Sequence, residues 1–384
     1  MSHLPLKGLT VLEFSQYLSG PSAGLRMADL GARVIKVERP GTGDACRKLA
    51  IKNLWADDGS SLLFHTINRN KESYTADMKN PDDVALIRKL MAIADVVTHN
   101  FRPGIMEKVG LGYNEAKTIN PKVIYAVISG YGSIGPWKDR PGQDLLIQSL
   151  SGLTYTTGNK TDNPTPFGIA IADIICGAHM VQGILAALVR RQKKGVGALI
   201  ELSLLESLID FQFEMFTTYY ASGQSPQRSA INNAQSLLGA PYGLYKTSDG
   251  FIAIAMVELV KLAAALECDA LFGFTQADVF KKRDEIKELL AQFLEKQTTS
   301  HWLGMLQAKG IWAMEVLDWK QMSVHPAYQA LSMEQAVKTT NGSEFITTRC
   351  PIRINGERLF SDKPAPVLGY HTKSIKKELL GVAG

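Results

Sequence analysis

An open, mostly parallel α/β sheet with a second, smaller α+β domain is the fold class this sequence predicts, and three observations carry the prediction. Short β-branched runs alternate with helical patterns from Leu9 to about Ser203, a polar stretch interrupts the pattern near Ser222, and short strands return after about Ser332. In order, Leu9 to Glu13, Arg33 to Glu38, Glu72 to Asp77, Asp95 to His99, Val123 to Ser129 and Leu199 to Ser203 read as strands. Pro21 to Leu30, Ser60 to Asn68, Pro81 to Ala94 and Ile174 to Lys193 read as helices between them, punctuated by Pro81, Pro121 and the stop Lys193-Lys194-Gly195. Strands separated by helices need crossover connections, and crossovers lay successive strands parallel in one sheet. A linker at Ser222 to Gln227 opens the second unit. There Tyr242 to Lys246, the turn Thr247-Ser248-Asp249-Gly250 and Phe251 to Ala255 predict a hairpin, followed by helices over Lys282 to Lys296 and Ser300 to Ala308. Glu344 to Thr348 and a run around Ile352 read as strands, and a terminal helix is expected near Ser374 to Leu380. The expected domains are thus 1–220, 221–331 and a return segment, 332–384.

The length of 384 residues fits two or three domains, and 45% apolar with 21% charged residues supports a large core. Lys and Arg number 42 against 37 Asp and Glu, a surplus of +5 that is too small to imply a nucleic-acid partner. No membrane role is expected. Ile169 to Val189 has the length of a span, but Asp173, His179, Gln182 and several Gly and Ala suit a buried helix better. The four cysteines form no CxxC and the histidines no HExxH, so neither a metal site nor a disulfide framework is expected, and a reducing, cytoplasmic setting is. Met1 to Gly8 has no apolar signal core, which argues against secretion.

Gly130-Tyr131-Gly132-Ser133-Ile134-Gly135 matches a dinucleotide fingerprint and follows a strand, but Pro136 to Gly142 will not start the helix on which a pyrophosphate would sit. A glycine-rich turn is the better reading. Asp173 opens a strongly apolar helix after Phe167 to Ala172. It reads as an N-cap, as a carboxylate nucleophile held ionised by helix-terminal N–H groups, or as both. Arg39, Lys71, Arg102, Lys108, Lys138 and Arg140 fall near strand ends, where open parallel sheets gather ligands, and Arg suits bidentate phosphate contact. An anionic, phosphate-bearing ligand is expected. His65, His99 and His179 read as core or surface histidines without a chemical role.

Taken in order, these segments resemble those of the class III, formyl-CoA transferase-like CoA-transferase family (CaiB/BaiF type) over essentially the whole length. The resemblance rests on Leu6-Lys7-Gly8-Leu9-Thr10-Val11-Leu12-Glu13-Phe14 with Ser19-Gly20-Pro21, Leu30 to Glu38 with Pro40-Gly41-Thr42-Gly43-Asp44, Asn70-Lys71-Glu72-Ser73, Asn100-Phe101-Arg102-Pro103-Gly104, Ser129-Gly130-Tyr131-Gly132 and Ala172-Asp173. It implies two subunits linked through each other as an interlocked homodimer, with the return segment completing the large domain. It also implies Asp173 as the catalytic carboxylate and CoA contacts around Gln16, Tyr17, Leu18, Ser19, Arg39, Asn70, Lys71, Asn100, Phe101, Arg102 and Lys108, with Lys138 and Arg140 in the same basic group. Coenzyme A and acyl-CoA would be substrates rather than permanently bound cofactors, and a small carboxylic acid the acceptor.

Two departures from the family pattern stand out. Only Gly239-Ala240-Pro241-Tyr242-Gly243 occupies the place of a long glycine-rich loop in the small domain. Related 2-methylacyl-CoA racemases carry Gly-His-Asp where this chain has Gly142-Gln143-Asp144, and a glutamine amide cannot shuttle a proton at neutral pH. CoA transfer is therefore expected, with a racemase or isomerase, or a CoA-binding protein without catalysis, as the alternatives.

Overall fold

Six runs of four to six residues form one sheet whose strands are all parallel, in the computed structural model that describes residues 4–361 and 363–381. In chain order the elements are β1 (Thr10–Glu13), α1 (Ser19–Asp29), β2 (Arg33–Glu38), α2 (Leu62–Asn68), β3 (Glu72–Thr75), α3 (Pro81–Ile93), β4 (Val96–His99), α4 (Ile105–Lys108) and α5 (Tyr113–Ile119). There follow β5 (Ile124–Ser129), α6 (Asp144–Leu150), α7 (Ile171–Lys194), β6 (Ala198–Ser203) and α8 (Leu204–Phe211). The strand order is β3-β2-β1-β4-β5-β6, the doubly wound arrangement in which the order reverses between β1 and β4. Each predicted strand of this unit is present to within two residues at either end. One compact unit comprises the described residues of Met1–Ile147, Ala170–Phe211 and Leu331–Gly384; the other comprises Gln148–Ile169 and Gln212–Ala330. The stretch Gln148–Ile169, assigned from sequence to the large domain, thus groups with the second unit.

The strands β1, β2, β4 and β5 are covered on both faces, whereas the edge strand β6 is exposed at alternate positions. Leu12, Ile35, Val37, Tyr74, Val97 and Tyr125 form one core with Ile87, Leu90 and Met91 of α3 and Leu111 and Ala116 around α5. On the other face, α7 buries Cys176, Gly177, Met180 and Ile184. Its approach to α1 is set by glycine: a Cβ on Gly177 would lie 2.3 Å from Ser22 Oγ and 2.7 Å from the Ser19 carbonyl oxygen. Gly177→Ala is expected to destabilise the unit by about 1–3 kcal/mol, since the nearest obstacle includes backbone; urea unfolding of the variant checks this. α7 is not buried all round, as its sequence suggested. Ile174 and Val189 leave an apolar outer face that is about half exposed.

The C-terminal chain returns to the β3 edge. His371 donates its amide to the Ser73 carbonyl at 3.1 Å, and the Thr75 amide donates to Thr372 Oγ1 at 2.9 Å. Arg33 forks onto Glu72 and onto Glu378, which lies in the terminal helix Thr372–Leu380.

The second unit has its own core. Strands Gly243–Lys246 and Phe251–Ile254 form the predicted hairpin, and Ala313–Glu315 adds a third antiparallel strand. Tyr245, Ile252 and Ile254 face helices Leu259–Leu266, Arg283–Leu294 and Thr299–Ala308 through Leu262, Leu290 and Leu306.

Candidate active site

Where the strand order reverses, the chain leaves β1 and β4 in opposite directions, and the carboxyl ends of these strands are where open sheets of this kind form a ligand crevice. The segment Gln16 to Ser19 follows β1, and Asn100 to Arg102 follows β4. One residue ties them together. Asn100 Oδ1 accepts the Gln16 amide at 2.8 Å, and Asn100 Nδ2 donates to the Gln16 carbonyl at 2.7 Å. Tyr17 is held in the left-handed region, at φ 62°, with its amide donating to Asp44 Oδ1 at 3.2 Å and its ring 54% exposed. A non-glycine residue there stores strain that the surrounding bonds must hold. Leu18 is half-buried, and Ser19 is buried at the start of α1.

Phe101 stacks on His99 with ring centroids 6.0 Å apart. Arg102 and Lys108 are exposed, as are Arg39 after β2 and Lys138 and Arg140 after β5. Asn70 and Lys71 stand apart from this group, because they precede β3 and so begin at the amino edge of the sheet. Asn70, at φ 64°, donates its side-chain amide to the Ala28 carbonyl at 3.0 Å. Lys71 is no surface cation. Its ammonium donates to both Glu13 carboxylate oxygens at 3.0 Å, to the Pro21 carbonyl at 2.8 Å and to Asn68 Oδ1 at 2.9 Å. Its ammonium is thus buried and engaged inside the unit rather than exposed at a strand end.

Lys71 belongs to a buried charge network that the sequence reading missed. Lys36 Nζ lies 3.1 Å from Glu13 Oε1 and 2.8 Å from Asp44 Oδ2, and donates to the Ser15 carbonyl at 2.6 Å. The two ammonium groups share Glu13. Burial and its neighbour's charge push Lys71 down to about 8 even against Glu13, whereas Lys36, with Asp44 as a second acid, is raised despite burial. Burial alone would raise Asp44, but Lys36 and the amides of Cys46 and Tyr17 hold it below the usual carboxylate range. Beside it, Arg47 forks onto Glu38 at 2.7 and 2.8 Å. Gly24 leaves room for this network, since a Cβ there would lie 1.7 Å from Glu13 Oε2. Charged residues within strands buried on both faces require partners. Glu13, Lys36 and Glu38 were the sequence signal.

Asp173 lies in the first turn of α7, at its third residue, and is half-buried. It is not the N-cap. Ala170 holds that place with no side-chain bond, and the first-turn amides go to Asp144: its Oδ1 accepts the Ala172 N–H at 2.7 Å and the Asp173 N–H at 3.3 Å. Burial, and then the Asp144 charge, push the Asp173 carboxyl up to about 6, against a hydrogen bond from Ser19 that lowers it. Ser19 thereby connects Asp173 to the loop after β1. The arrangement offers a basic, restrained carboxylate beside the crevice.

The glycine fingerprint after β5 is a closed loop without a helix. Gly132 at φ 89° and Gly135 at φ 88° turn the chain, and the Gly132 amide donates to Ser129 Oγ at 2.9 Å. Gly130 packs on Gly142 so closely that a Cβ on Gly130 would meet the Gly142 Cα at 2.8 Å. Tyr131 OH donates to the Pro141 carbonyl at 3.2 Å, which completes the closure. In the second unit the short Gly239 to Gly243 turn is packed as well: the Ala240 amide donates to the Val279 carbonyl at 2.9 Å, and Tyr245 OH donates to the Pro241 carbonyl at 2.6 Å. His65 meets Asp58 at 3.0 Å, His179 meets Asp210 at 3.5 Å, and burial pushes His99 down to about 4.

Comparison with known proteins gives these features a family. The sequence profile described as CoA-transferase family III matches residues 6–372. The chain is 32% identical to the succinate–glutarate CoA-transferase of Agrobacterium fabrum over 387 residues, covering 98% of this chain and 96% of that protein. It is 31% identical to the acetyl-CoA:oxalate CoA-transferase of Acetobacter aceti, covering 97% and 95%. The crystal structure of a CAIB/BAIF family protein from Brucella suis superposes with a TM-score of 0.84 at 33% identity, covering 98% of this chain and all of that one. This chain therefore belongs to CoA-transferase family III and is a CoA-transferase.

Proposed function

We propose that this enzyme moves CoA from an acyl-CoA to a short dicarboxylic acid through covalent states on Asp173. The observation that carries the reading is Asp173 itself, a carboxylate of raised basicity bonded to Ser19 at the mouth of the crevice after β1. Asp173 attacks the donor thioester carbonyl, the C–S bond breaks, and CoA leaves as the thiolate with a mixed anhydride behind it. The thiolate then attacks the Asp173 carbonyl, expels the donor acid as its carboxylate and leaves an aspartyl-CoA thioester. The acceptor carboxylate attacks that thioester, forming a second anhydride and freeing the thiolate again. Attack of the thiolate on the acceptor's acyl carbon gives the new acyl-CoA and returns Asp173 as a carboxylate. Each tetrahedral oxyanion needs N–H donors aimed at it.

In this reading Gln16 to Ser19 and Asn100 to Phe101 hold the CoA chain, while Arg39, Arg102, Lys108, Lys138 and Arg140 meet its phosphates. Asn70 and Lys71 act by supporting α1. The dicarboxylate class rests on relatives whose names pair succinate with glutarate and succinyl-CoA with D-citramalate. A panel of succinyl-, acetyl- and formyl-CoA against glutarate, malate, citramalate, oxalate and monocarboxylates tests it; transfer only to monocarboxylates would overturn the acceptor class. Gln143 favours transfer over racemisation, because its amide supplies no acid or base.

Activity needs Asp173 ionised, and its carboxyl titrates at about 6. kcat/KM is expected to fall tenfold per pH unit below about 6 and to level above it, as a pH–rate profile will record. The half-exposed apolar face of α7 suits cover by an interlocked second copy, which light scattering would report as a dimer. The four free cysteines, Cys46, Cys176, Cys268 and Cys350, suit the cytoplasm.

A further inference from the structure

We propose that Asp144 is the positioning residue of the transfer site: it takes the first-turn amides of α7 away from Asp173 and keeps that carboxylate basic enough to attack a thioester. The proposal rests on the reading of Asp173 as nucleophile and adds what makes it one.

Two carboxylates compete for one helix N-terminus. A helix offers unpaired N–H groups and a positive dipole end there, and a carboxylate that receives them is stabilised as the anion. Asp173, at the third position of α7, stands where its own side chain would draw that benefit. The structure gives the amides of Ala172 and Asp173 to Asp144 Oδ1 instead, at 2.7 and 3.3 Å. Asp144 comes from a different element, the start of α6, and reaches α7 because the loop before it is pinned. Gly130 and Gly142 touch backbone to backbone, and Tyr131 is bonded to Pro141. Ala170, the residue in the N-cap place, supplies no side-chain bond of its own, so the helix start depends on this remote carboxylate.

The charge of Asp144 acts in the same sense as the lost amides. Around Asp173, α1 presents the Ser19 hydroxyl, which opposes the effect; α7 presents the Cys176 thiol, which burial pushes up to about 12 and leaves neutral. α8 presents Glu206, whose charge acts on Cys176 and whose carboxylate accepts Ser203 Oγ at 2.6 Å. Asp144 is thus the charged neighbour whose field raises Asp173. Nucleophilicity rises with basicity while ionisation at neutral pH is kept, so the pairing tunes the attacking group to its working pH.

Asp144→Asn keeps an amide oxygen as acceptor for the two N–H groups and removes the charge; Asp144→Ala removes both. Both variants are compared with the wild type in the full-length enzyme by two readouts. One is the pH profile of CoA transfer. The other is the pH midpoint of Asp173 labelling by a water-soluble carbodiimide with glycine ethyl ester, mapped by peptide mass spectrometry, which needs no turnover. In Asp144→Asn the acid limb and the labelling midpoint are both expected to move down by more than about one pH unit. kcat should fall about tenfold, with the KM for acyl-CoA within about twofold. Asp144→Ala should show a larger downward shift, because the Ala172 and Asp173 amides are also released toward Asp173, with a larger loss of kcat. An Asp144→Asn enzyme with the wild-type limb and midpoint overturns the proposal, even where Asp173→Ala is inactive. Full transfer by Asp173→Ala would instead remove the nucleophile reading, and the catalytic role of Asp144 with it.

Discussion

Asp173→Asn is expected to lower CoA exchange by at least about a thousandfold while the enzyme keeps its fold and its affinity for CoA. The magnitude follows from the role: a covalent nucleophile carries every step of the exchange, and removing such a group leaves only the binding contribution to rate. Its structural role is small by comparison. Asp173 does not cap α7, because Asp144 does so, and the side chain faces Ser19 rather than the apolar core around Cys176 and Met180. Circular dichroism and CoA titration should therefore match the wild type. Turnover of the Asn variant at more than about a tenth of the wild-type rate would remove Asp173 from the chemistry.

Lys71→Met is expected to have the largest effect on stability, a loss of about 3–5 kcal/mol in urea unfolding. The ammonium holds Glu13, the Pro21 carbonyl and Asn68 inside the unit, and its removal leaves Glu13 with Lys36 alone. Two buried carboxylates, Glu13 and Asp44, then share the single Lys36 ammonium, and that imbalance costs more than the lost bonds themselves. The same network carries Asp44, which holds the strained Tyr17 amide, so the KM for acyl-CoA should rise as well. Lys261→Met, which breaks the exposed pair with Glu258, is the control and should leave the urea midpoint in place. Equal midpoints for the two variants would show that the buried network contributes nothing beyond a surface pair.

How much of this was legible in the sequence differs between fold and site. The six sheet strands were legible because short β-branched runs recur between helical patterns, and Pro81 and Gly195 marked helix ends through their backbone preferences. Short helices such as Ile105–Lys108 and Asp144–Leu150 escaped because a single turn or two has no periodicity to read. In the site, the residues after β1 and β4 were found from motif resemblance, and their mutual bonding through Asn100 was not, since it links positions 84 apart in the chain. Lys71 shows the limit most clearly. A cation beside a strand looks the same in sequence whether it points to solvent or inward, and only burial separates the two. Asp144 was visible as a neighbour of Gln143, but that it caps a helix 28 residues away depends on how the Gly130 to Gly142 loop closes.

The account's central claim is that CoA passes through a covalent bond to Asp173, and trapping that bond tests it most directly. Purified enzyme is incubated with succinyl-CoA or acetyl-CoA, quenched with hydroxylamine or borohydride, digested and mapped by mass spectrometry. The account predicts a hydroxamate or an alcohol at Asp173, formed with its acyl-CoA donor and absent without one. An unmodified Asp173 in enzyme that is turning over the same donor would contradict it.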